Sequence, residues 1–175
     1  RAMREHEEAF RLDDRSAVIA HALAGLSLRR GKTDEALSYG RKALELEPDR
    51  PETLMLLAGV NSALKQYDTA ASLYKKVIAV DARNEDAYLY LGSLYASMQQ
   101  YDEAVAAFKE LIEENPSHPL ANESIYKIGQ CFYEQKKYDS VIDVFSQFAR
   151  EYPLHPKIAN AHYLLARAYY ALGEY

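Results

Sequence analysis

Residues 86–112 read DAYLYLGSLYASMQQYDEAVAAFKELI, and two apolar stripes run through them at helical spacing. Tyr88, Leu91, Gly92 and Tyr95 fall at i, i+3, i+4 and i+7; after a short turn at Gln100-Tyr101-Asp102, Ala104, Phe108, Leu111 and Ile112 do the same. Two helices joined so tightly must fold back on one another. Outward from Gly92 the pattern recurs. Ala24, Ala58, Gly129 and Ala166 stand in register with it, at successive steps of 34, 34, 37 and 37 residues. Leu23, Leu57, Leu91, Ile128 and Leu165 come just before these markers, and Ser27, Asn61, Tyr95, Phe132 and Tyr169 three residues after. Twelve residues on stand Ala36, Ala70, Ala104 and Val141. Small markers let helix axes approach, so Gly92 and Gly129 read as packing glycines, although glycine in a helix costs about 1 kcal/mol relative to alanine. Asp34, Asp68, Asp102 and Asp139 open each second helix, where a carboxylate can accept free N–H groups and complement the dipole. Pro48, Pro116 and Pro153 close three of the first four repeats, while the second has Ala82.

A step of this length, with a small residue in each of two helices, resembles the tetratricopeptide repeat. The resemblance covers nearly the whole chain and implies an all-α fold, a right-handed superhelical α-solenoid of stacked antiparallel helix hairpins. It divides a single array over 1–175 into 34-residue repeats at 17–50, 51–84 and 85–118, a 37-residue repeat at 119–155, and the first helix of a truncated repeat at 156–175. Ala2 lies 34 residues before Ala36, so residues 2–12 read as the second helix of a preceding repeat, and the whole as a fragment of a longer array. The two extra triplets, Pro119 to Ala121 and Pro156 to Ile158, are expected to lengthen the incoming first helices and alter the curvature. Tyr67, Tyr101 and Tyr138 recur at the inter-helix turn and are expected to cap each hairpin with a ring. The longer repeats, with phrases such as Phe148-Ala149-Arg150-Glu151-Tyr152-Pro153, are similar to those common in bacterial cell-envelope proteins, which points to the envelope or periplasm, with the cytoplasm as the alternative.

The search for chemistry is nearly empty. A net charge of −5 and a pI near 5.6 argue against nucleic acid, which needs a basic face. Arg29-Arg30, Lys75-Lys76 and Lys136-Lys137 read as solvated surface. His6, His21, His118, His155 and His162 never take the i, i+4 spacing of a helical zinc site, so no metal is expected. No phosphate loop or nucleophile turn occurs, and adjacent pairs such as Glu7-Glu8 and Glu113-Glu114 diverge along a helix. Cys131, the single cysteine, reads as a small buried hydrophobe. The expectation is a non-enzymatic protein with no cofactor and no transmembrane segment in this stretch.

A second row beside the core stripe is more informative. It comprises His21, Gly25, Leu28; Met55, Gly59, Ser62; Leu89, Ser93, Ala96; Tyr126, Gln130, Tyr133; and Tyr163, Arg167, Tyr170, with charge only at Arg167. A helix facing plain solvent would carry Lys, Glu and Gln there. By the family resemblance these rows line the concave groove that holds a protein or peptide segment. Two explanations stand: the small members Gly25, Gly59, Ser93 and Ala96 extend the core, or the row is a groove, roomy at one end and aromatic at the other. Tyr126, Tyr133, Tyr163 and Tyr170 are read as binding residues. Chaperone-tail receptors are set aside, because His21, Gly25, Met55, Gly59 and Leu89 occupy the places of their carboxylate clamp. The function expected is a protein-interaction scaffold; the alternatives are the docking arm of a larger enzyme and an end-to-end self-assembling module of a cell-envelope complex.

Overall fold

Short amphipathic stripes broken by turn chemistry give nine α-helices and no strand among residues 15–173, which are those the computed structural model describes. They are α1 (Ala17–Arg29), α2 (Thr33–Leu46), α3 (Pro51–Ala63), α4 (Tyr67–Val80), α5 (Glu85–Ser97), α6 (Tyr101–Glu114), α7 (Pro119–Glu134), α8 (Tyr138–Glu151) and α9 (Ile158–Leu172). The expected helix at 2–12 lies outside the described residues, as do Glu174 and Tyr175. The fold class is an all-α helical-repeat solenoid.

Two compact units divide the chain at residues 87 and 88. In the first, α1 pairs with α2 and α3 with α4, while α2 packs on α3. Leu54, Val77 and Ala87 form a core flanked by Leu44, Met55, Leu73 and Ile78. In the second, α6 packs on α7, α7 on α8, and α8 on α9. One cluster there joins Ala104, Val105, Phe108, Ile128 and Cys131; another joins Tyr126, Val141, Phe145, Phe148, Ala161 and Ala168.

The small markers fit a large partner sixteen residues on. A Cβ placed on Gly92 would lie 2.5 Å from Phe108 Cε1, and one on Gly129 would lie 2.5 Å from Phe145 Cζ, closer than real Cβ atoms come. Ala24, Ala36, Ala58, Ala70, Ala104 and Val141 are fully buried. The first unit shows the inverse of this fit, which the sequence reading passed over. Where later helices carry Tyr74, Phe108 and Phe145, α2 carries Gly40, and Leu57 of α3 fills the gap, with its Cδ2 2.6 Å from where a Cβ would sit. Ala166 departs from the series. It is exposed, because among the described residues no helix follows α9 to cover that face.

The turn inside each hairpin is built by backbone. Gly31, Lys65, Gln99 and Lys136 all have positive φ, 73°, 59°, 61° and 59°, and the next residue's N–H reaches back five residues, as Lys137 N donates to Phe132 O at 2.9 Å. This is the helix-ending motif that favours glycine, and only the first repeat supplies one. Lys136→Gly is therefore expected to stabilise the second unit by about 1 kcal/mol, since a non-glycine residue is disfavoured in left-handed backbone by roughly 1–2 kcal/mol and glycine returns part of that as unfolded-state entropy. Urea denaturation of the variant checks this; a lowered midpoint would contradict it.

The aspartates do less than expected. Lys32, Gln66, Gln100 and Lys137 are the N-caps of α2, α4, α6 and α8, none with a side-chain cap bond, so Asp34, Asp68, Asp102 and Asp139 lie two residues past the cap, inside the first turn, where they complement the dipole. Asp102 also straps two repeats of the second unit, accepting from Gln135 Nε2 at 2.9 Å and Lys137 Nζ at 3.1 Å; these two bonds hold its carboxyl below the usual range. The C-caps of α2, α6 and α8, Glu47, Asn115 and Tyr152, stand immediately before Pro48, Pro116 and Pro153. In the second repeat Asp81 does the same work by accepting Arg83 N at 3.2 Å.

The first extra triplet lengthens its helix: α7 has 16 residues against 13 in α1, α3 and α5, begins with Pro119, and is capped by His118 Nδ1 accepting from Leu120 N. The second differs. His155 Nδ1 accepts from Lys157 N at 3.2 Å, and its ring meets Phe148 edge-on at 5.0 Å, so Pro156 and Lys157 stay in the turn and only Ile158 enters α9.

Candidate functional site

Helical periodicity puts the second row on α1 and α3 in the first unit and on α5, α7 and α9 in the second. In the first unit its members are mostly structural. His21 Nδ1 lies 3.0 Å from Thr53 Oγ1, and because Thr53 is fully buried this bond satisfies its hydroxyl and ties α1 to α3. Burial, then nearby Arg50, lowers the His21 pKa, so the ring is neutral at pH 7. His21 is thus a tie between helices rather than an open contact, which corrects its reading as a groove residue. Met55 is half-buried against the Leu54–Val77–Ala87 core. Leu28 is 38% exposed. A Cβ on Gly25 would meet Leu56 Cδ1 at 3.6 Å, whereas Gly59 is exposed with nothing within 4 Å, so core extension holds for the first and not the second. Ser62 is half-buried.

In the second unit the row divides three ways. Tyr126 is core: only 4% exposed, its ring centroid 5.7 Å from Phe145 and 6.1 Å from Phe148. Its reading as a binding residue is corrected, because α8 covers that stretch of α7 and seals the ring between them. Leu89 is half-buried against the Phe108 cluster. Ser93 and Ala96 of α5 and Gln130 of α7 line one cleft of about 330 Å³, together with Tyr101, Phe108, Cys131, Lys127 and Glu134. The last two were missed by the sequence reading, although their spacing of seven along α7 places them on the face of Gln130.

Tyr133, Tyr163 and Arg167 form the third group. The Arg167 guanidinium carbon lies 5.4 Å from the Tyr133 ring centre and 5.6 Å from that of Tyr163, and Nη1 donates to Tyr163 Oη at 3.3 Å. That bond first, and Tyr133 second, raise its pKa and hold the charge. Tyr133 is half-buried and meets Tyr138 edge-on at 6.1 Å. Tyr163 and Tyr170 are 59% and 71% exposed, a large amount for tyrosine. The group offers aromatic faces, hydroxyls and a fixed cation on one face of α7 and α9.

Little here suits bond-breaking chemistry. Burial pushes the Cys131 thiol up to about 11, away from a nucleophile's range. Among the described residues no cluster of His, Cys, Asp and Glu could hold a metal, and no helix is long and apolar enough to cross a membrane.

Comparison with known proteins follows the same lines. Sequence patterns of the tetratricopeptide repeat match residues 18–54 and 62–125, and the pattern of anaphase-promoting complex, cyclosome, subunit 3 matches 119–175. No curated protein matches. Solved structures resemble the chain closely in fold. MamA is 21% identical with a TM-score of 0.77, covering 85% of each chain. YrrB, a TPR protein with an unusual peptide-binding site, is 20% identical with a TM-score of 0.75, over 97% of this chain and 84% of its own. A tetratricopeptide repeat protein from Parabacteroides merdae ATCC 43184 is 20% identical with a TM-score of 0.79, over 99% of this chain and 66% of its own.

Proposed function

We propose that this chain, which belongs to the tetratricopeptide repeat family, is a non-enzymatic protein-interaction scaffold that holds a segment of another polypeptide along the second row of its first helices. One observation carries the reading: Tyr133, Tyr163, Arg167 and Tyr170 share one face of α7 and α9, with two of the tyrosines largely exposed. Rings that bring area and a hydroxyl at small entropic cost are the residues on which binding energy concentrates. The binding role of Gln130, Leu28, Met55 and Leu89 is secondary to that of these four. A triple variant, Tyr133→Ala with Tyr163→Ala and Tyr170→Ala, tests it by selection from a displayed random-peptide library. The parent chain is expected to enrich a common sequence, and the variant to bind it at least 30-fold more weakly, which corresponds to about 2 kcal/mol. Equal binding by a variant with unchanged circular dichroism would defeat the proposal.

A further inference from the structure

We infer that the second unit selects an extended segment carrying one bulky apolar side chain and, about three residues away, a carboxylate; the apolar side chain enters the cleft between α5 and α7, and the carboxylate pairs with Arg167. This rests on the groove reading above and specifies its ligand.

The carboxylate follows from the state of Arg167. Its guanidinium is flanked by two rings and spends one donor on Tyr163 Oη, yet no carboxylate among the described residues lies within ion-pair distance of it. Five donors in a planar fork match two carboxylate oxygens, and the rings hold the fork before the ligand arrives. In this unit's row only Arg167 is charged, and Lys127 and Glu134, which line the cleft, are of opposite sign, so Arg167 sets the sign of the complementary group.

The apolar side chain follows from the cleft. About 330 Å³ is room for one leucine-, methionine- or phenylalanine-sized group, and Phe108, Cys131 and Ala96 supply apolar lining for such an anchor. The spacing follows from α7, which both features share. Gln130 and Glu134 face the cleft on one side, while Tyr133 touches Arg167 on the other. Helices pack roughly 8–10 Å apart, and an extended chain advances about 3.3 Å per residue, so roughly three residues separate the two contacts.

The test uses the full chain and blocked synthetic peptides in which one leucine and one glutamate stand one, three or six residues apart among glycines and serines, titrated by amide chemical shifts. Binding is expected to be tightest at a separation of three and to weaken about tenfold when the glutamate is glutamine. Arg167→Gln should erase that glutamate preference, and Ser93→Met, which places a flexible side chain into the cleft, should erase the preference for leucine over serine. If the peptides shift amides of α7 and α9 but glutamate and glutamine bind alike at every spacing, this inference fails and the groove reading stands. If no peptide moves residues near Tyr133, Tyr163 or Arg167, both fall.

Discussion

Phe145→Ala is expected to destabilise the second unit by about 3–5 kcal/mol, the range for emptying a fully buried aromatic site. The ring packs against Gly129 and Tyr126 of α7 and belongs to the cluster that also holds Phe148 of α8 and Ala168 of α9. The same contact makes a sharper prediction in combination. Gly129→Ala alone should cost about 1–3 kcal/mol, because its methyl group would stand 2.5 Å from Phe145 Cζ and the ring must shift inside a packed core. In the Phe145→Ala background the collision is gone, and the same change should stabilise by up to about 1 kcal/mol through helix propensity. Repeat proteins can open one part at a time, so hydrogen exchange of amides in α7 and α8 is the appropriate measurement. If Gly129→Ala has the same sign in both backgrounds, the steric account of the marker is wrong.

Alkylation of Cys131 in the folded chain is expected to be at least 100-fold slower than in the denatured chain at the same pH. Burial raises the thiol from 9.0 to about 11, which by itself removes about 100-fold of the reactive thiolate, and Cys131 is only 3% exposed. Iodoacetamide labelling followed by mass spectrometry reads this directly; labelling at the denatured rate would place the thiol at the surface. A consequence for stability has a definite sign. The folded state keeps its proton between pH 9 and about 11 while the unfolded chain loses it, so stability from this group is present below pH 9 and declines as pH rises through that window. Cys131→Ala should remove this part of the slope.

Much of the fold was open to reading from residues 86–112 and their echoes. The period of the small markers identified the hairpins, and the short turns required each pair to be antiparallel. Caps were harder. An aspartate near a helix start looks the same in sequence whether it sits at the cap or two residues inside, and only backbone geometry separates Asp102, in the first turn, from Gln100, at the cap. Gly40 was missed because it carries no marker register, and its meaning appears only through Leu57, which packs into it from α3.

The candidate site was legible as a row and illegible as a set of roles. Tyr126 and Tyr133 lie seven residues apart on one face of α7 and are the same amino acid, yet the first is sealed by Phe145 and Phe148 while the second reaches Arg167. Periodicity is a property of one helix, set by its own backbone, so the sequence alone determined which residues share a face and that the chain is built of repeated helix pairs. Exposure is a property of what the neighbouring helix covers. Tertiary packing alone therefore decided that His21 ties two helices, that Tyr126 belongs to the core, and that a guanidinium lies between two rings.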